Sequence, residues 1–378
     1  MDAKLILQDG TAYIGQLFGS LKSVAGEVVF ATGMTGYDMS MTDPSYSGQI
    51  LVFTYPLIGN WGAPPREFWE SGKIHTTAII VSDLTTKPCH WQMTQSLDSW
   101  CKKEGIPILS GIDTRALTQK LRDGGAVLGK IVADKDINFT DPNLRNLVAE
   151  VSPKKLTVHK PNTTFGTKRE AYQIPKTNNQ IGLLNCGAKR SILNSLLMLG
   201  ATVYDLPWDF DPFNHNLNLD GLIVSNGPGN PKMADKSIAI IRKSLDIKLP
   251  TFGICLGNQL LALAAGGDTY KLKFGHRSQN QPTLEIGTKR CFITTQNHGF
   301  AVDEKNLPKN FKPWFINAND GTNEGIKHEN LPFFSVQFHP EATPGPTDTT
   351  WLFDYFLSKI HKSQGYSNPE LEYIDASG

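Results

Sequence analysis

The sequence predicts an α/β protein in parts. A strand-rich α/β domain is expected over residues 1–150, a linker over 151–180, and an open, mostly parallel sheet with helices on both faces over 181–378. Three observations predict this. Short apolar runs ended by glycine and turn residues crowd the first 150 residues. From residue 181 strands and helices alternate at short spacing, the pattern of parallel strands joined by crossover helices. Between them, VSPKKLTVHKPNTTFGTKREAYQIPKTNNQ is polar and weakly periodic and carries three prolines, as a linker or a crossing strand would.

The elements follow in order. KLILQDG and TAYIGQLFG are two strands around an Asp-Gly turn. GEVVFATGMTG, GQILVFTYPLIGNWG and HTTAIIVSD are further strand patterns. Met93, Leu97 and Trp100 lie three or four apart and predict a helix over 90–103. IDTRALTQKLRDGG predicts another, capped by Asp113 and stopped by its glycine pair. In the second region IGLLN, ATVYDLP, DGLIV and PTFGI are strands. AKRSILNSLLML, ADKSIAIIRKSL and NQLLALAAGG are helices. Later strands fall near KRCFITTQNHG, PWFINAND and PFFSVQFHP, and TWLFDYFLSKIHK is a helix before a polar tail.

Composition excludes several classes. Lys+Arg is 37 against 36 Asp+Glu, a net charge of +1, which argues against a histone-like nucleic-acid binder. With 39% hydrophobic and 19% charged residues, 378 residues bury a substantial core. No apolar run reaches the roughly 18 residues of a membrane span. The opening MDAKLILQDGTAY lacks the layout of a secretory signal. Five cysteines, widely spaced and without a C-x-x-C pair, speak against disulfides and a Cys-rich zinc site. A reducing, cytoplasmic setting is expected, with no nucleic acid or membrane as partner.

One cysteine stands apart. In TFGICLGNQ an apolar strand meets Cys255 between Gly253 and Gly257, and a helix begins at once. This is a nucleophile elbow with cysteine in place of serine. The turn presents the sulfur at the carboxyl edge of the sheet, and the helix N-terminus favours thiolate. In FSVQFHPEATPGP, His339 and Glu341 are two apart, so in a strand both face one way. His339 is the candidate base and acid, and Glu341 its orienter. The oxyanion donors expected are the backbone N–H groups of Leu256 and of Gly227 in the turn SNGPGNP. The structural alternative is a buried cysteine in a tight connection, a histidine at a strand end and an ordinary turn.

GICLGNQ, FHPEA and SNGPG together resemble the class I glutamine amidotransferases, the triad-type group. The resemblance implies that Cys255 attacks the side-chain amide of glutamine, that ammonia leaves, and that a glutamyl thioester is hydrolysed. GEVVFATGMTGYDMSMTDPSYSGQILVFTYPLIGNWG, GIDTRALTQKLRDGG, NCGAKRSILNSL and FHPEATPGPTDT resemble, more narrowly, the carbamoyl phosphate synthetase small subunits. This implies glutamine contacts at Ser45, Gly227, Gly229, Leu256, Gln259, Gly299 and Phe300. It implies no cofactor in this chain, and as partner a large subunit that uses ATP and Mg to make carbamoyl phosphate for arginine or pyrimidine synthesis. Departures from the pattern are Asn258, where many relatives carry histidine, SQNQP over 278–282, and Thr347. A glutaminase serving another synthase, a non-catalytic scaffold subunit and a cysteine hydrolase of another class stay open as alternatives.

Overall fold

The computed structural model describes residues 1–161, 178–307 and 309–363. The polar tail and more than half of the expected linker lie outside the described residues. The chain divides into two compact units, Met1–Leu147 with Leu272–Gln279, and Val148–Lys271 with Asn280–Gly378.

The first unit holds β1 (Asp2–Leu7), β2 (Ala12–Gly19), β3 (Val24–Ala31), α1 (Tyr37–Thr42), β4 (Gln49–Phe53) and β5 (Leu57–Ile58). It continues with β6 (Ala78–Ile80), β7 (Asp83–Leu84), α2 (Leu97–Glu104), β8 (Pro107–Ser110), α3 (Thr114–Gly124) and β9 (Val127–Val132). Seven strands close into a barrel in the order β1-β2-β8-β6-β4-β3-β9, with β9 pairing back onto β1. Alternate side chains of one strand feed two cores. Ile50 and Val52 of β4 pack with Leu117 and Leu121 of α3, while Leu51 and Phe53 pack with Leu97 and Trp100 of α2. Asp113 caps α3, accepting from the Ala116 N–H at 2.9 Å. The helix expected over 90–103 begins only at Leu97. Ser96 caps it through the Ser99 N–H, and Gln95 is held in a bridge to Ala63, so the residues before it cannot join the helix.

The remaining elements are α4 (Leu147–Val151), β10 (Thr157–His159), β11 (Gln180–Asn185), α5 (Arg190–Met198), β12 (Thr202–Pro207), β13 (Gly221–Val224), α6 (Asp235–Asp246) and β14 (Thr251–Ile254). They are followed by α7 (Leu256–Ala264), β15 (Thr269–Glu285), β16 (Cys291–Val302), β17 (Phe311–Asn317), β18 (Asn323–His328), β19 (Phe333–Val336) and α8 (Trp351–Ser363). Ten strands form one sheet, β10-β12-β11-β13-β14-β19-β18-β17-β15-β16. The run β12-β11-β13-β14-β19 is parallel, as the alternation of strands and helices predicts. Antiparallel strands extend it on both sides. Leu222 and Val224 of β13 pack with α6 and α7, and Ile223 packs with α5 and α8. Both faces are therefore covered, and the short β13 and β14 read as continuous apolar runs. No described helix is long and apolar enough to cross a membrane.

Phe252 is the hub of one of these cores. It is fully buried, stacks on Phe334 with centroids 4.7 Å apart, and meets Phe353 edge-on at 6.2 Å. Phe252→Ala is expected to cost about 3–5 kcal/mol, read as a fall in the urea midpoint at unchanged slope.

Candidate active site

The site is built from loops that leave adjacent parallel strands. β14 ends at Ile254, Cys255 follows, and α7 starts at Leu256. Cys255 has φ 56° and ψ −102°, a conformation that a residue with a side chain rarely adopts. The flanking glycines make it possible by close approach. A Cβ on Gly257 would lie 2.1 Å from the Val224 carbonyl oxygen, and one on Gly253 would lie 2.4 Å from that of Gly257. The sharp turn places the sulfur at the start of α7, whose first N–H, at Leu256, has no acceptor within the helix.

The loop after β19 brings the other two residues. The backbone N–H of His339 donates to the Thr295 carbonyl at 2.9 Å. The His339 Nδ1 lies 2.6 Å from Glu341 Oε1, with both side chains buried. The strand expected to carry both residues ends at Val336, and the contact is instead made within the bends and turn that follow it. Burial alone would push the His339 imidazole down, but the Glu341 carboxylate and the Cys255 sulfur reverse this and hold it well above the ordinary histidine value. Burial would likewise push the Glu341 carboxyl up. Lys189 and His339 instead hold it below the carboxylate range. His339 Nε2 is buried and has no hydrogen-bond partner among the described residues. The Cys255 thiol donates to the Asn297 carbonyl at 3.5 Å and accepts from Gln337 Nε2 at 3.7 Å.

The turn after β13 completes the arrangement. Gly227 packs so tightly that a Cβ would sit 2.3 Å from the Cys186 carbonyl oxygen, which only glycine tolerates. Ser225 Oγ accepts from the Cys186 N–H at 2.9 Å, and Asn226 Oδ1 accepts from the Lys189 N–H at 3.1 Å. Lys189 Nζ in turn donates to Glu341 Oε1 at 2.8 Å and to the Thr343 carbonyl. Such a site can hold a thiol nucleophile, move a proton on and off an imidazole, and keep that imidazole oriented.

Residues 182–359 match the family described as Glutamine amidotransferase class-I, and residues 5–131 match Carbamoyl-phosphate synthase small chain, CPSase domain. The arginine-specific small chain of carbamoyl phosphate synthase from Saccharomyces cerevisiae is 44% identical over 96% of this chain and 89% of its own length. The one from Chaetomium globosum is 43% identical over 99% of this chain and 81% of its own. The chain belongs to the carbamoyl phosphate synthase small-chain family. Multifunctional protein CAD of Squalus acanthias is 47% identical over 94% of this chain, and multifunctional protein pyr1-3 of Dictyostelium discoideum is 47% identical over 97%. The chain spans 16% and 17% of those two proteins, about a sixth of each.

Within the small-chain fold, most residues implied by the resemblance lie in the second unit. Gln259 is on the first turn of α7 and donates through Nε2 to the Phe300 carbonyl at 2.8 Å. Gly299 and Phe300 are on β16, and Gly229 turns the loop after β13 with φ 84°. Ser45 belongs to the first unit, in a buried turn where its N–H donates to Asp43 Oδ1 at 2.8 Å. Two residues escaped the sequence reading. Lys189 lies where a parallel strand hands over to a helix, and a lysine there was readable as a loop charge at the carboxyl edge. Gln337 is the first residue after β19, in the same loop as His339, and its approach to Cys255 is set by that loop rather than by strand alternation.

The buried pair gives a pH-dependent stability with a definite sign. A carboxyl held low stabilises the fold above its ordinary 4.5 and loses that contribution as pH falls through about 2. An imidazole held high stabilises below its ordinary 6.5 and loses that contribution as pH rises through about 10. Glu341→Gln removes one partner of a buried pair, an expected cost of about 3–5 kcal/mol. The gap in Tm to the unaltered chain should be widest between pH 4.5 and 6.5 and narrow on either side. A gap that does not change with pH contradicts the ion pair.

Proposed function

We propose that this chain hydrolyses L-glutamine to glutamate and ammonia through a cysteinyl thioester on Cys255. The observation that carries the reading is the convergence of Cys255, the His339–Glu341 pair and the Gly227 turn at one sheet edge, in a chain of the small-chain family. The Cys255 thiol passes its proton to His339, and the sulfur attacks the side-chain amide carbon, forming a C–S bond as the carbonyl electron pair moves to oxygen. The oxyanion that develops is met by the N–H groups of Leu256 and Gly227. The C–N bond then breaks, and His339 delivers the proton that lets ammonia leave. Water, losing its proton to His339, attacks the thioester, the C–S bond breaks and the thiol is restored. Glu341 keeps the imidazole oriented and stabilises its charged form. Ser45, Gly229, Gln259, Gly299 and Phe300 are assigned to holding glutamine.

The ammonia is passed to a separate ATP- and Mg-dependent large subunit, which makes carbamoyl phosphate from bicarbonate. Nucleotide binding belongs to that partner. The names of the relatives favour such a partner: small chains on one side, much longer multifunctional proteins on the other. The route served is arginine synthesis, pyrimidine synthesis or both, and the arginine-specific names of several relatives favour the first. The five free cysteines suit a cytoplasmic setting.

Cys255→Ala should lower glutamine hydrolysis at least about a thousandfold while the near-UV spectrum stays native. With the large subunit present, the same preparation should still form carbamoyl phosphate from added ammonia. Substantial residual glutaminase activity refutes the nucleophile. Loss of the ammonia-dependent activity as well points to a scaffold role instead.

A further inference from the structure

The side chain of Gln337 is fully buried beside the sulfur, and hydrogen bonds settle which of its ends faces which neighbour. The Phe300 carbonyl oxygen can only accept, so the Gln259 atom 2.8 Å from it is the amide nitrogen. That nitrogen also lies 3.2 Å from the Gln337 side chain, so the Gln337 atom there is the oxygen, Oε1. Asn258 Nδ2 donates to the same oxygen at 3.1 Å, while Asn258 Oδ1 accepts from Ser335 Oγ at 2.7 Å. With Oε1 held by two donors, Gln337 Nε2 is turned to Cys255 Sγ, 3.7 Å away.

We propose that Gln337 is a catalytic residue, a fixed N–H donor to the Cys255 sulfur that favours its anionic, attacking form, with Asn258 and Gln259 as the residues that position it. The inference rests on the reading of Cys255 as nucleophile. A second close contact of the sulfur, the Asn297 carbonyl, accepts from a thiol but repels a thiolate. The Gln337 contact strengthens as negative charge develops, which is the property a catalytic interaction needs. The donor is preorganised because its amide cannot rotate without breaking two accepted bonds. Both N–H bonds of the Gln259 amide are also committed, so that residue meets substrate only through Oε1, as an acceptor.

The test uses Gln337→Glu and Gln337→Leu in the full chain. The first keeps an oxygen toward Asn258 and Gln259 but turns a second oxygen toward the sulfur. The second keeps similar volume and removes the donor. Iodoacetamide is the probe: the thiolate attacks its methylene carbon, a C–S bond forms and iodide leaves. Alkylation of the Cys255 peptide is followed by mass spectrometry against pH, since Cys89 and Cys291 are exposed and react too. His339, and Glu341 and Lys189 behind it, are unchanged in both variants.

The alkylation profile should move to higher pH in both variants, further for Glu. At neutral pH the alkylation rate and the kcat for glutamine should fall about ten- to a hundredfold, with KM little changed. A measurement on the unaltered chain needs no change at Gln337. The Gln337 side-chain amide proton resonance should move with pH, and that movement should vanish in Cys255→Ala. A resonance that stays still, or an unmoved alkylation profile in a variant with a native near-UV spectrum, overturns the proposal. Because alkylation involves no glutamine, an unaltered chain without glutaminase activity sinks the reading of function while Gln337 is still tested. Glutaminase activity with an unmoved profile sinks this inference alone.

Discussion

A chain of three buried groups, Lys189, Glu341 and His339, governs the geometry of the second unit's working edge. Glu341 Oε1 receives both the lysine at 2.8 Å and the imidazole at 2.6 Å, and all three side chains are almost completely out of water. Removing charges from water costs several kcal/mol each unless partners compensate closely. The loops that carry them therefore cannot drift independently. Lys189 comes from the connection after β11, and His339 and Glu341 from the one after β19. Lys189 also ties in the turn after β13, through its backbone N–H to Asn226.

Sheet order turns these ties into a site. β11, β13, β14 and β19 are consecutive neighbours, all parallel, so their carboxyl ends lie side by side in steps of about 4.8 Å. Each end hands over one part: a lysine, a glycine turn, a strained cysteine, and the histidine with its carboxylate. The cysteine's positive φ is sustained by backbone contacts on both sides, Gly253 against Gly257 and Gly257 against Val224. Strain at Cys255 is thus held by packing of the parallel core rather than by the site's own polar contacts.

Much of this was legible in the sequence because its signals are local. The glycines around Cys255, the spacing of His339 and Glu341, and the cap at Asp113 each depend on residues a few positions apart. Strand–helix alternation likewise predicts the parallel centre of the large sheet. Barrel closure of the first unit was not legible, because it depends on β1 pairing with both β2 and β9, the latter more than a hundred residues away. The start of α2 was misplaced because periodicity over Met93, Leu97 and Trp100 cannot show that Gln95 is held in a bridge to Ala63. Lys189 and Gln337 were missed for a related reason: each acquires its meaning from a partner 152 or 82 residues away.

The departure at Asn258 fits the same polar network. The position must donate to Gln337 Oε1 and accept from Ser335 Oγ, and Asn258 does both through Nδ2 and Oδ1. A neutral imidazole, which the family resemblance leads one to expect there, also offers one donor and one acceptor. In hydrogen-bonding capacity alone, asparagine and histidine both suit a relay between Ser335 and Gln337, whereas an apolar residue leaves buried polar groups on both sides without partners. What position 258 has to conserve is a donor–acceptor pair of fixed direction, since that direction turns the Gln337 amide nitrogen toward the sulfur.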